Sequence, residues 1–181
     1  MRTVRFAAAI AVALGIPAAA GAQDTPKAGI VIAYPTAVGI LWHVTDKIAI
    51  RPEFNIQGSS TETTAAQFST DSSGWAAGFG LSALFYMRTE DSLRTYIVPR
   101  FSYLHSSNSS KGPSGASVDV GSDSYGGSGA FGAQYTLGKR FALFGELGVG
   151  FDHHTSDTFN GTKSKGSTWG LQSGVGVVFY P

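Results

Sequence analysis

From Ile30 onward the chain alternates in twos. In the run Ile48 to Gln57, one parity holds Ile48, Ile50, Pro52, Phe54 and Ile56, and the other holds Ala49, Arg51, Glu53, Asn55 and Gln57. Leu93, Thr95, Ile97, Pro99, Phe101 and Tyr103 likewise oppose Arg94, Tyr96, Val98, Arg100 and Ser102. Near the end, Trp169, Leu171, Val175, Val177 and Phe179 oppose Gly170, Gln172, Gly174, Gly176 and Tyr180. A period of two marks strands with one apolar and one small or polar face. The pattern predicts strands over Ile48–Gln57, Trp75–Met87, Leu93–His105, Tyr125–Leu137, Arg140–Asp152 and Ser167–Tyr180. The stretch Gly29 to Val44 keeps one parity throughout. Folded back at Tyr34-Pro35-Thr36 it gives two short strands and eight in all; the alternative is one long strand and seven.

The connectors alternate as strictly as the faces. Short ones (Thr45-Asp46-Lys47, Arg88 to Ser92, Gly138-Lys139) take turns with long ones (Gly58 to Gly74, Ser106 to Ser122, His153 to Gly166). Tight turns on one rim and longer loops on the other belong to an up-and-down antiparallel sheet. A soluble sandwich also alternates, but its outer face carries Lys and Glu. Here the second face is rich in Gly, Ala and Ser, and the aromatics are sorted by height. Trp42, Phe85, Tyr135, Phe141 and Phe179 lie near the short turns, and Phe54, Trp75, Tyr103, Tyr125, Phe151 and Trp169 near the long loops, all on the apolar parity. Two aromatic girdles around an aliphatic band predict an all-β, antiparallel up-and-down transmembrane barrel of eight strands, with short periplasmic turns and longer extracellular loops. No apolar run after the first residues is long enough for a transmembrane helix.

Composition fits that reading: only 14% of residues are charged, 12% are aromatic, and there is no Cys. A disulfide framework and thiolate chemistry are therefore excluded. Residues 1–22 read as a cleaved secretory leader, with Arg2 and Arg5 before the apolar Phe6–Ile16 and Ala20-Gly21-Ala22 at the cleavage site. The barrel domain is then 23–181. Loss of the two arginines takes the formal net charge from +1 to −1, which gives nucleic acid no basic surface to bind. Val44–Phe54 also aligns without gaps on Leu137–Leu147, each copy a hairpin arm with an acid, Glu53 or Glu146, at the same inward position.

Arg51, Arg94 and Arg100 share the inward parity with those two acids. An Arg facing lipid near the midplane would cost about 2–4 kcal/mol, so all five are expected in the lumen. The interior of an eight-stranded barrel is just wide enough for side chains to fill. A charge network that plugs the lumen is the expected arrangement, and a narrow ion or solute channel the alternative.

These features resemble the small outer-membrane β-barrel proteins, the OmpA-like and OmpX-like transmembrane barrels. The terminal Ser173-Gly174-Val175-Gly176-Val177-Val178-Phe179 is similar to their assembly signal, with Gly174, Val177 and Phe179 at its key positions, followed here by Tyr180 and Pro181. The resemblance implies residence in the bacterial outer membrane and export through the periplasm. It also implies contact with outer-membrane lipid and lipopolysaccharide, recognition by the barrel assembly machinery, and a structural or surface role with no cofactor. The long loops are where an extracellular ligand would bind. One motif points elsewhere. His105-Ser106-Ser107-Asn108 resembles the His-x-Ser-Asn pattern of outer-membrane lipid A deacylases, and would make His105, Ser107 and Asp119 a hydrolytic triad. His153-His154 with Asp152 and Asp157 lacks the spacing that closes a metal site, so no metal is expected.

Overall fold

The computed structural model describes residues 28–35, 37–65, 68–111, 117–157 and 162–181. The leader segment 1–22 lies outside them. Eight strands form one closed ring in chain order: β1 (Ala28–Tyr34), β2 (Ala37–Thr45), β3 (Ile48–Ala65), β4 (Phe68–Glu90), β5 (Leu93–Lys111), β6 (Ser117–Leu137), β7 (Phe141–Asp157) and β8 (Lys163–Phe179). All neighbours are antiparallel, and β1 closes on β8 from Ile30↔Phe179 to Tyr34↔Val175. The stretch 29–44 is thus two strands. Followed from partner to partner, Val177 leads through Ile32, Val38, Phe54, Phe79, Tyr103, Tyr125 and His153 to Ser167, ten residues further up β8. That stagger tilts the strands by about 40° to the barrel axis.

The ladders run well beyond the apolar runs. Ser59↔Gly74, Ser107↔Gly121 and His154↔Gly166 pair regularly inside stretches that read as loops. Above the apolar band both faces of a strand meet water, so the period of two fades while the backbone keeps pairing. The β1–β2 hairpin is the exception. It ends at Tyr34 and Ala37, while β3 and β8 continue upward as the two edges of a sheet that runs from β3 through β4, β5, β6 and β7 to β8.

Parity sets the faces. Val31, Leu41, Ala49, Leu84, Tyr96, Val98, Ala142 and Val178 are buried in the lumen, whereas Ile48, Ile50, Ile97, Phe101, Leu143, Val149 and Val175 are exposed on the outer wall. Pro52 and Pro99 face outward in mid-strand, where a local bulge would be one expectation. No bulge forms. Register shifts occur only at His43/Thr45 and Tyr86/Arg88 among the described strands. Instead the β2–β3 ladder passes from Gly39↔Glu53 to Trp42↔Ile50, and the β4–β5 ladder from Ser82↔Arg100 to Phe85↔Ile97. Each proline removes a donor, and the ladder loses two pairs on that side while the other side remains continuous.

Candidate functional site

The centre of the lumen holds the two acids of the sequence repeat. β3 and β7 stand four strands apart in a ring of eight, so the repeat places Glu53 and Glu146 on opposite walls. Arg51, with 1% of its surface exposed, forks onto Glu146: Nη1 lies 2.8 Å from Oε1 and Nη2 3.0 Å from Oε2. Its Nε lies 3.4 Å from Glu53 Oε1, an ion-pair contact without hydrogen-bond geometry. Arg100 ties the same acids from β5, with Nε 3.2 Å from Glu53 Oε2 and Nη2 3.0 Å from Glu146 Oε2. Arg100 Nε also donates to Ser82 Oγ at 2.9 Å, Ser82 donates to Glu53 at 3.3 Å, and Tyr96 OH donates to Glu146 at 3.0 Å. Two cations and two anions are matched. Bidentate, charge-assisted bonds of this kind are the strong ones. The repeat accounts for one further contact: Phe144, the counterpart of Arg51, lies under its guanidinium at 4.9 Å from the ring centroid.

Glycines give these side chains room. A Cβ on Gly39 would lie 2.5 Å from the Pro52 carbonyl oxygen and 3.0 Å from Glu53 Cγ. One on Gly132 would lie 2.4 Å from the Tyr96 ring, and one on Gly176 2.5 Å from Phe144. The small residues of the inner parity are thus the complement of its large ones.

Below the charges the lumen is filled. Tyr86 OH donates to Gln134 Oε1 at 3.1 Å, and Gln134 Nε2 donates to Tyr180 OH at 3.0 Å. His43 stacks on Tyr86 with centroids 5.6 Å apart. Arg94 joins this lower cluster, its guanidinium 5.7 Å from the Tyr86 centroid. Sequence parity put Tyr96 and Tyr180 inside. It also turned His43 and Gln134 inward, next to the outward Trp42 and Tyr135, but gave no warning that they join Tyr86 and Tyr180 in one cluster.

On the outer wall, Trp42, Phe85, Tyr135 and Phe141 are exposed toward the short turns, with Phe179 half-buried against Phe141 at 5.1 Å. Trp75, Tyr103, Tyr125, Phe151 and Trp169 are exposed toward the opposite rim, and Phe54 packs against Phe79 at 5.2 Å beside the tip of the first hairpin. Gly174, Val177 and Phe179 lie on β8, with Val177 and Phe179 on the outer face.

The hydrolytic set does not assemble. His105 Nδ1 pairs with Asp123 Oδ1 at 2.8 Å, and its ring packs on Trp75 at 5.3 Å; Ser107 is not among its described contacts. Asp119 stands opposite Ser109, four residues up β6 from Asp123. Strand pairing, rather than distance along the chain, selects the acid that meets His105. Tyr103 OH also donates to Asp123 Oδ1, at 2.6 Å, and these bonds from Tyr103 and His105 hold the Asp123 carboxyl below its usual range. His153 and His154 point to opposite faces. His153 Nδ1 meets Ser167 Oγ at 2.9 Å, whereas His154 lines the lumen.

No protein-family model and no curated protein matches the chain. Among solved structures it is similar to a major outer membrane protein from Thermus thermophilus, with 14% identity over 86% of this chain and 98% of that one, at a TM-score of 0.57. Matches to CarO from Acinetobacter baumannii (13% identity, 89% and 100% covered, TM-score 0.44) and to Ail, the attachment invasion locus protein of Yersinia pestis (11%, 84% and 93%, 0.38), are more distant and add nothing to the first. At such identities the likeness bears on the fold alone: an eight-stranded barrel of the outer-membrane type.

Proposed function

We propose that the chain is an integral protein of the bacterial outer membrane whose lumen is closed by side chains, and that it acts as a structural and surface-interaction scaffold. It would reach the membrane through the periplasm, with Gly174, Val177 and Phe179 read by the assembly machinery and lipid and lipopolysaccharide around the outer wall. The observation that carries the closed lumen is the matched Arg51–Glu146–Arg100–Glu53 cluster above the Tyr86–Gln134–Tyr180 chain. An ion would have to displace paired charges that hold one another in a desolvated site. Interaction then falls to the hairpins beyond the membrane, whose Ser, Thr, Gly and Asn side chains offer donors and acceptors to extracellular partners.

Planar-bilayer recording tests the closed lumen. The wild-type protein should give no reproducible conductance steps. Regular steps that change with Arg100→Ala would establish the narrow channel instead.

A further inference from the structure

The barrel wall is incomplete on one side. Among the described residues, β3 above Phe54 pairs only with β4, and β8 above Val175 pairs only with β7, because the hairpin between them stops at Tyr34 and Ala37. The gap is three interstrand spacings wide, roughly 14 Å. It spans about 10 Å of height below the level of Trp169, given the strand rise and tilt. Strand edges at membrane depth expose backbone polar groups that lipid tails cannot satisfy, and these persist only beside a polar cavity or a polar occupant. Such a cavity lies behind the gap. It encloses about 590 Å³, is floored by Glu53, Arg100 and Glu146, and is walled by Asn55, Gln172 and Ser173. An adjoining cavity of about 370 Å³ is lined both by Arg100 and by Leu171, a residue of the outer face, so the lumen opens sideways. The rim is apolar. Trp169 (85%), Leu171 (81%), Tyr34 (74%) and Ile56 (74%) are the most exposed large apolar side chains among the described residues, and all four border the gap.

We infer that this notch is a lateral portal for an amphiphile in the outer leaflet, its chain lying against Trp169, Leu171 and Ile56 and its uncharged, hydroxyl-rich head entering the cavity. Charge decides the head. The cations and anions of the floor are already matched, so a charged head would leave one of them without a counterpart. Hydroxyl groups add donors and acceptors without adding charge, and the Asn55 and Gln172 side chains in the cavity wall are uncharged groups of matching kind.

The test uses phosphatidylcholine nanodiscs and a Trp42→Phe/Trp75→Phe protein, in which Trp169 is the reporter among the three tryptophans. The probes are dodecyl maltoside and, with the same chain, dodecyl sulfate and dodecyltrimethylammonium. Dodecyl maltoside should shift Trp169 emission saturably and more tightly than either charged probe. Binding should weaken at least tenfold in two variants that keep heat-modifiable migration on gels. One adds four residues to each arm of the β1–β2 hairpin and so closes the notch. The other is Gly80→Leu, which fills the cavity from a wall outside the assembly signal, where a Cβ meets nothing nearer than Glu53 Cβ and the Phe101 carbonyl oxygen at 3.7 Å; if the lengthened hairpin does not fold, this variant decides. No shift, an unsaturable shift equal in the variants, or preference for a charged head would each overturn the portal.

Discussion

Glu146→Gln removes one of two anions from a site that holds two cations. Glu146 receives the fork from Arg51 at 2.8 and 3.0 Å, a third bond from Arg100 at 3.0 Å and a fourth from Tyr96 at 3.0 Å. The amide keeps the shape and one acceptor, but its NH2 group then confronts a guanidinium. Arg51 is left buried with Glu53 at 3.4 Å as its remaining described anion. Removing one member of a buried pair costs about 3–5 kcal/mol, since the partner charge stays desolvated. At about 1.4 kcal/mol per tenfold, the folded-to-unfolded ratio should fall by roughly two to three and a half decades. Reversible urea unfolding in lipid vesicles, followed by heat-modifiable migration, measures the loss. Arg51→Met with Glu146→Leu is the decisive companion. It leaves Arg100 matched to Glu53 and should restore most of the stability, because a pair replaced by apolar residues is often neutral. A Glu146→Gln loss under about 1 kcal/mol, or a double variant as unstable as the single, would refute the claim that matched charge holds the centre.

Other outcomes follow from the same packing and pairing. Gly132→Ala should destabilise by about 1–3 kcal/mol in the same assay through overpacking against the buried Tyr96 ring, while Gly129→Ala, with nothing within 4 Å of its Cβ, should be neutral or slightly stabilising. The Asp123 carboxyl, lowered in the folded state by Tyr103 and His105, contributes stability that is present above its ordinary value near 3.8 and lost as pH falls through its folded value. Hydrogen exchange in the β5–β6 extension should therefore be faster in Asp123→Asn than in wild type at pH 6, with the difference vanishing at the acid end of the titration. Ser107→Ala should leave the acyl chains of lipid A unchanged by mass spectrometry, since His105 engages Asp123 and Trp75 instead.

Alternation along the chain was enough to specify the fold class, the face of nearly every strand residue in the apolar band, and the strand count once Tyr34-Pro35 was read as a reversal. The reason is local. In a wall between lipid and lumen, each position answers to one environment, and the period of two records it directly. The placement of Glu53 and Glu146 was legible as a repeat, because equivalent hairpins four strands apart face each other across a ring of eight. Four things emerged only in three dimensions. Partner choice was one: stagger assigns Asp123 rather than Asp119 to His105, and puts Arg94 over the Tyr86 ring. Strand length was another, since above the membrane both faces meet water and pairing leaves no pattern in the side chains. The proline sites needed the ladders on both sides to show that a lost donor opens two pairs without shifting the register. The side opening, last, belongs to no residue. It arises from a hairpin shorter than its neighbours, and only closure of the ring sets β3 and β8 on either side of it.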